Sequence, residues 1–167
     1  MKDYKKYDYI IAGYGCAGMS LLYRILSNPI LKSKKILVVD KTKKINNDRT
    51  WCYWEKKNGL FDKIVFKRWK SLCFLSSDFT KKLNLKQYTY KMIRGIDFYT
   101  FILNFTKDFK NVTFEKEKIL KIETINKKGV LVTEKCKYEA EYIFNSTNLF
   151  LPQISRENSI LQHFEGW

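Results

Sequence analysis

The sequence predicts an α/β fold built on a parallel sheet, and three observations carry that prediction. Tyr9, Ile10, Ile11 and Ala12 form a strand-like run that enters a glycine-rich turn, Gly13-Tyr14-Gly15-Cys16-Ala17-Gly18. Met19, Leu21, Leu22, Ile25 and Leu26 then recur at helical spacing. A second strand-like run, KKILVVD, ends on Asp40, 22 residues after Gly18. Strand, G-x-G-x-x-G, helix, strand and terminal acid in that order make the βαβ fingerprint of a Rossmann-like, dinucleotide-binding domain.

Each residue type in the fingerprint has a physical task. Gly13 permits the tight turn, Gly15 lets the backbone approach a pyrophosphate, and Gly18 lets the helix pack closely on the strand. Cys16 and Ala17 open the helix, whose free N–H groups and positive dipole end suit a diphosphate. Asp40 is placed to accept a hydrogen bond from an adenosine ribose hydroxyl. The fingerprint alone does not choose between NAD and FAD.

After Asp40 the segment KTKKINNDRTWCYWEKKNG reads as a loop, polar at first and then aromatic. A loop in this place passes the cofactor, so Asp48, Arg49, Thr50, Trp51 and Trp54 can reach beyond the adenosine half. The two tryptophans form a wall for a flat or apolar group, or simply cover a sheet edge. Residues 60–69 read as a short helix. Ser71–Ser77, Lys81–Leu85 and Tyr88–Ile93 alternate in part and read as a small antiparallel β-meander, inserted at about 70–93. Asp97–Phe109 has the spacing of a helix with one buried face, marked by Phe98, Phe101, Ile102 and Phe105. Val112–Glu115 reads as a return strand, and the runs from Ile119 and Gly129 as a hairpin turned at Asn126-Lys127-Lys128-Gly129. Tyr142, Ile143 and Phe144 form a last short strand. It ends in Asn145-Ser146-Thr147-Asn148, small polar residues suited to the ligand-binding carboxyl edge of such a sheet.

Composition narrows the partners. At 167 residues with 45% apolar side chains the chain can bury a core of its own. Its formal charge of +15 is spread along the chain, without the clustered module that nucleic acid recognition would use, so no nucleic acid partner is expected. Scattered lysine suits a solvated surface or an anionic membrane surface. Cys16, Cys52, Cys73 and Cys136 lie far apart, which predicts reduced thiols and neither a structural zinc nor a disulfide framework. No leader or membrane-spanning run is read, so the expected location is cytoplasmic, peripheral on the inner face of the membrane. The lone His163 reads as a surface or packing residue, and the N-x-S/T triplets at Asn104, Asn111 and Asn145 as chance.

Several stretches together resemble lycopene beta-cyclase: YDYIIAGYGCAGMSLL, ILVVDK with NNDRTWCYWE, YKMIRGIDFY, YIFNST and LQHFEGW. The resemblance covers essentially the whole chain. It implies FAD, held through its adenosine diphosphate by Gly13, Gly15, Cys16, Ala17, Gly18 and Asp40, with Arg49, Thr50 and Trp51 on the flavin-side loop. Arg94 is a further cofactor contact that it admits. It implies FAD in its reduced form, with NAD(P)H as reductant. The reaction it implies is proton-initiated, non-redox cyclisation of lycopene or a related carotenoid to beta-ionone ends, an intramolecular lyase or isomerase activity. Family members are longer and carry their acidic motif downstream. Residues 1–148 are therefore expected to be the FAD-binding domain and 149–167 the start of a substrate domain. On that expectation the chain is an N-terminal portion with no catalytic residue, inactive alone and holding FAD weakly or not at all. A separately encoded C-terminal half is then a further partner. Another flavoprotein of the same fold, a polyprenyl reductase or hydroxylase, and a non-catalytic module remain alternatives.

Overall fold

The computed structural model describes residues 4–149. Its first unit is strand β1 (Lys5–Ala12), helix α1 (Cys16–Ser27) and strand β2 (Ile36–Asp40). An antiparallel insertion follows: β3 (Thr50–Glu55), a 3-10 turn at Asp62–Ile64, β4 (Lys67–Trp69), β5 (Ser71–Leu75), β6 (Thr80–Asn84) and β7 (Thr89–Arg94). The chain returns through helix α2 (Gly95–Thr106), then β8 (Val112–Lys116), β9 (Ile119–Ile125), β10 (Lys128–Thr133) and β11 (Lys137–Asn145).

The main sheet has the order β8-β2-β1-β11-β10-β9. The pairs β8–β2, β2–β1 and β1–β11 are parallel, whereas β11–β10 and β10–β9 are antiparallel. One face carries Ile11, Ile36 and Val38, covered by Met19, Leu22 and Leu26 of α1 and by Phe98, Tyr99 and Ile102 of α2. The other carries Ile10, Ala12, Leu37 and Val39 and packs with Leu131, Tyr138 and Ala140. Burial on both faces explains why the parallel strands read as continuous apolar runs. Enclosing each large aliphatic side chain of this core is worth about 1.5–3 kcal/mol over leaving it exposed.

Four local expectations are corrected. The segment read as a loop after Asp40 holds a strand, β3, because Thr50-Trp51-Cys52-Tyr53-Trp54-Glu55 alternates with period two and is rich in aromatics. The antiparallel insertion accordingly begins at residue 50, and it is not one meander. It forms a three-stranded sheet β3-β7-β4 and a separate pair β5-β6. Residues 60–69 give a 3-10 turn and a strand rather than one helix. The last strand is nine residues long and pairs with β1 over most of its length. The β9–β10 hairpin turns at Asn126 (φ 49°) and Lys127 (φ 63°), the two positive-φ positions of a type I′ turn. His163 and the LQHFEGW stretch lie outside the described residues.

Candidate functional site

Three carboxyl strand ends, of β1, β2 and β11, meet at the point where the chain has gone from β1 first to one side of the sheet and later to the other. That is the topological switch point at which open α/β sheets bind ligands. A cleft of about 630 Å³ opens there. The fingerprint forms one wall. Gly13 sits at φ +98°, and a Cβ on it would meet Ser146 Oγ at 2.6 Å. Ser146 Oγ in turn donates toward the carbonyls of Ala12 (3.2 Å) and Gly13 (3.0 Å), tying the end of β11 to the turn. A Cβ on Gly18 would run into the Gly13 carbonyl and come within 3.0 Å of Ile11 Cγ2, so Gly18 serves the close approach of α1 to β1. Gly15 differs, because a Cβ there would meet nothing within 4 Å. The protein leaves that side of Gly15 open.

Gly13, Gly15, Cys16, Asp40, Arg49 and Trp51 all line the cleft. Ala17, Gly18 and Thr50 do not: Gly18 is enclosed between helix and strand, while Ala17 and Thr50 are exposed outside it. Trp51 and Trp54 are three residues apart in a strand and therefore point to opposite faces. Trp51 packs edge-on against Phe98 and Tyr99 beside the cleft, whereas Trp54 is half exposed on the outer face against Tyr90. The two-tryptophan wall is thus split. Arg94 is held away from the cleft by Asp97, with Nε–Oδ2 at 2.7 Å, and lies over the Phe66 ring.

Asp40 is already well occupied. Its Oδ2 accepts from the Tyr14 N–H at 2.7 Å, and its Oδ1 from the Thr42 N–H at 2.9 Å and the Thr42 hydroxyl at 3.0 Å. The carboxylate fixes the glycine turn and the loop after β2 while it faces the cleft. Cys16, at the start of α1, is half-buried, and burial raises its thiol pKa, which keeps it protonated. Tyr99, Lys118 and Ile119 also line the cleft. Sequence reasoning passed over these three, because neither a helix-face tyrosine nor a lysine at a strand end carries a local signal for a ligand. Four cations, Lys41, Lys44, Arg49 and Lys118, stand against two acids, Asp40 and Asp48, which leaves the lining at +2. Among the described residues no group of three or more His, Cys, Asp or Glu is placed to hold a metal ion.

The fold is shared with solved structures at low identity. The p-nitrophenol 4-monooxygenase PnpA of Pseudomonas putida DLL-E4 superposes with a TM-score of 0.69 at 12% identity, over 87% of this chain and 41% of that one. A substituted PqsL of P. aeruginosa gives 0.66 at 12%, over 83% and 42%. A thioredoxin reductase of Streptococcus pyogenes MGAS5005 gives 0.51 at 16%, over 86% and 35%. The chain thus spans less than half the length of these three. No curated protein matches. The family model described as lycopene cyclase protein covers residues 8–167, from the first strand through the glycine turn and cleft to the end, and the chain belongs to that family.

Proposed function

We propose that this chain supplies the dinucleotide-holding part of an FAD-dependent carotenoid cyclase, which closes the ends of lycopene to beta-ionone rings. The observation that carries the reading is the cleft itself. An open cradle at Gly15, at the start of α1, sits in a lining of net charge +2, which matches the two negative charges of a diphosphate. Gly13, Gly15 and Cys16 would take the diphosphate, Asp40 the adenosine ribose with its remaining acceptor capacity, and Arg49 a phosphate oxygen. Bound in reduced form, FAD supplies electron-rich character next to a substrate cation, and NAD(P)H is the reductant of the reading. The chain's own contribution is to bind and orient: Trp51 on Tyr99 and Phe98 gives an apolar wall, and the protonated Cys16 adds no charge.

Family membership supports the carotenoid substrate, and that substrate dissolves in bilayers. The reading therefore includes a peripheral position at the inner membrane face, favoured by the charge of +15. No helix among the described residues is long and apolar enough to cross a membrane. The catalytic acid belongs to sequence other than residues 4–149, either in the same polypeptide or in a separate half.

Gly15→Ala tests the reading. It fills the cradle without touching the protein, so the thermal midpoint should stay within about 4 °C, since Gly to Ala at a helix start changes stability by about 1 kcal/mol at most. Binding of adenosine diphosphate by equilibrium dialysis should fall at least about tenfold, the loss of one to two charge-assisted contacts. Unchanged binding would remove the diphosphate from the glycine turn.

A further inference from the structure

The cleft has two carboxylates, and they are not alike. Asp40 spends three acceptor positions on Tyr14 and Thr42. Asp48 spends one: its Oδ1 accepts from the Tyr99 hydroxyl at 2.9 Å. Among the described residues no cation pairs with it. A carboxylate offers about four acceptor sites, so Asp48 keeps most of its capacity for something in the cleft.

Its position is also fixed. Residues 47–49 are pinned to the start of α2 at three points: Asn47 Oδ1 accepts from the Ile96 N–H (3.3 Å), Asp48 from Tyr99, and the Arg49 carbonyl from the Gly95 N–H (2.6 Å). A Cβ on Gly95 would meet that carbonyl at 2.8 Å, so the glycine is what admits the loop. Tyr99 itself is 1% exposed, and burial followed by the Asp48 carboxylate raises its pKa, so it remains a donor. Cys16, Asp48 and Tyr99 line the same cleft, so this corner belongs to the space that the start of α1 faces. For a ligand whose diphosphate lies on Gly15 and Cys16, with its adenosine at Asp40, Asp48 is the other carboxylate of the same lining and the one with free acceptor capacity.

We propose that Asp48 is a cofactor-binding residue, the hydroxyl acceptor for the sugar chain attached to the second phosphate, with Tyr99 as its positioning residue. The ligand class is a dinucleotide whose second half is a polyol, as the ribityl chain of FAD is. The inference rests on the FAD reading above and adds to it the residue that separates FAD from its adenosine diphosphate half.

The test compares two ligands on the unsubstituted chain of residues 1–167 and three variants of it, by equilibrium dialysis up to millimolar ligand so that weak FAD binding is still read. Asp48→Asn should bind adenosine diphosphate within about twofold of the unsubstituted chain and FAD at least about tenfold more weakly, since hydrogen bonds to a charged acceptor are worth more than one decade. Asp48→Ala should do the same, and both should keep the parent's circular dichroism, because Asp48 is exposed. An equal loss for both ligands, or none for either, would overturn the assignment while leaving the dinucleotide site standing. So would an unsubstituted chain that binds FAD no better than adenosine diphosphate. A chain that binds neither ligand removes the FAD reading and this assignment together. Tyr99→Phe should lower FAD affinity less than Asp48→Asn and move adenosine diphosphate not at all; equal effects on both ligands would make Tyr99 structural only.

Discussion

The parallel sheet and the antiparallel insertion between β2 and α2 are built on different terms. In the parallel part Ile10, Ile11, Leu37 and Val39 are fully enclosed, with α1 and α2 on one face and the β9–β10 hairpin side on the other. In the insertion, the sheet β3-β7-β4 buries one face on that core through Trp51 and Ile93 and leaves Trp54 half exposed. The pair β5-β6 bonds to no other strand, and Phe74 and Leu75 are 58% and 70% exposed. Strands pair in each region, yet apolar burial is concentrated in one. The cleft sits where the tightly buried part ends, so its glycines are held by packing, whereas among the described residues of the insertion's strands Trp51 of β3 is the one that lines it.

The largest way to break that contrast is Gly18→Val. The new side chain would drive α1 off β1, against the Gly13 carbonyl, Ile11 and Ser146. Overpacking against backbone costs about 3 kcal/mol, and for a chain of this size that lowers the thermal midpoint by about 10 °C. Binding of adenosine diphosphate should vanish with it. A midpoint within 2 °C of the parent would mean that the helix is not seated on the strand as described.

A smaller effect should come from the one buried charge of the insertion. Lys91 is 3% exposed and its Nζ lies 2.7 Å from Glu55 Oε2 and 2.6 Å from Asp62 Oδ1. Burial pulls its pKa down, but the hydrogen bonds to Asp62 and Glu55 outweigh burial and leave it raised. The hydrogen bond from Lys91 is the main cause that lowers the pKa of Asp62. A carboxylate with a lowered folded pKa stabilises above the ordinary carboxylate range, and that contribution fades as pH falls through the folded value. Melts from pH 7 to pH 3 should therefore show a stability loss beginning below about pH 4. The Lys91 share works in the other direction, full below its ordinary value and lost above about pH 10. Lys91→Met should cost about 1–3 kcal/mol at pH 7, because the abandoned carboxylates are partly exposed, and should flatten the acid slope. An unchanged acid slope would show that the network contributes nothing through Asp62.

The same contrast explains what could be read before the structure. The βαβ unit was legible because each local rule agreed there: apolar strand, glycine spacing, helical periodicity and a terminal acid at Asp40. Thr50–Glu55 reads as loop because the polar residues before it hide a short alternating run, and its pairing with β7 spans about 40 residues of sequence. Period two also separates Trp51 from Trp54, a consequence available only once the strand is recognised. The fingerprint located the cleft but not its far wall. Tyr99 reads as one more aromatic on a buried helix face, and nothing local says that its hydroxyl meets Asp48 across 51 positions. Contacts of that separation are set by topology, whereas Gly13, Gly15 and Gly18 are set by neighbours in sequence.

The mildest effect should come from the β5-β6 tip, where Phe74→Ser with Leu75→Ser removes apolar surface that is largely in water already. Surface changes of this kind shift stability by less than about 0.5 kcal/mol each, so the midpoint should move by no more than about 4 °C. An isolated two-stranded pair is marginal in water, and exposed apolar side chains on it favour association. The double variant should therefore stay monodisperse to a higher concentration by light scattering. A fall of many degrees would instead show that the pair is seated on the core. The difference between the two regions would then be one of degree, with Phe74 and Leu75 belonging to the same buried body as Leu37.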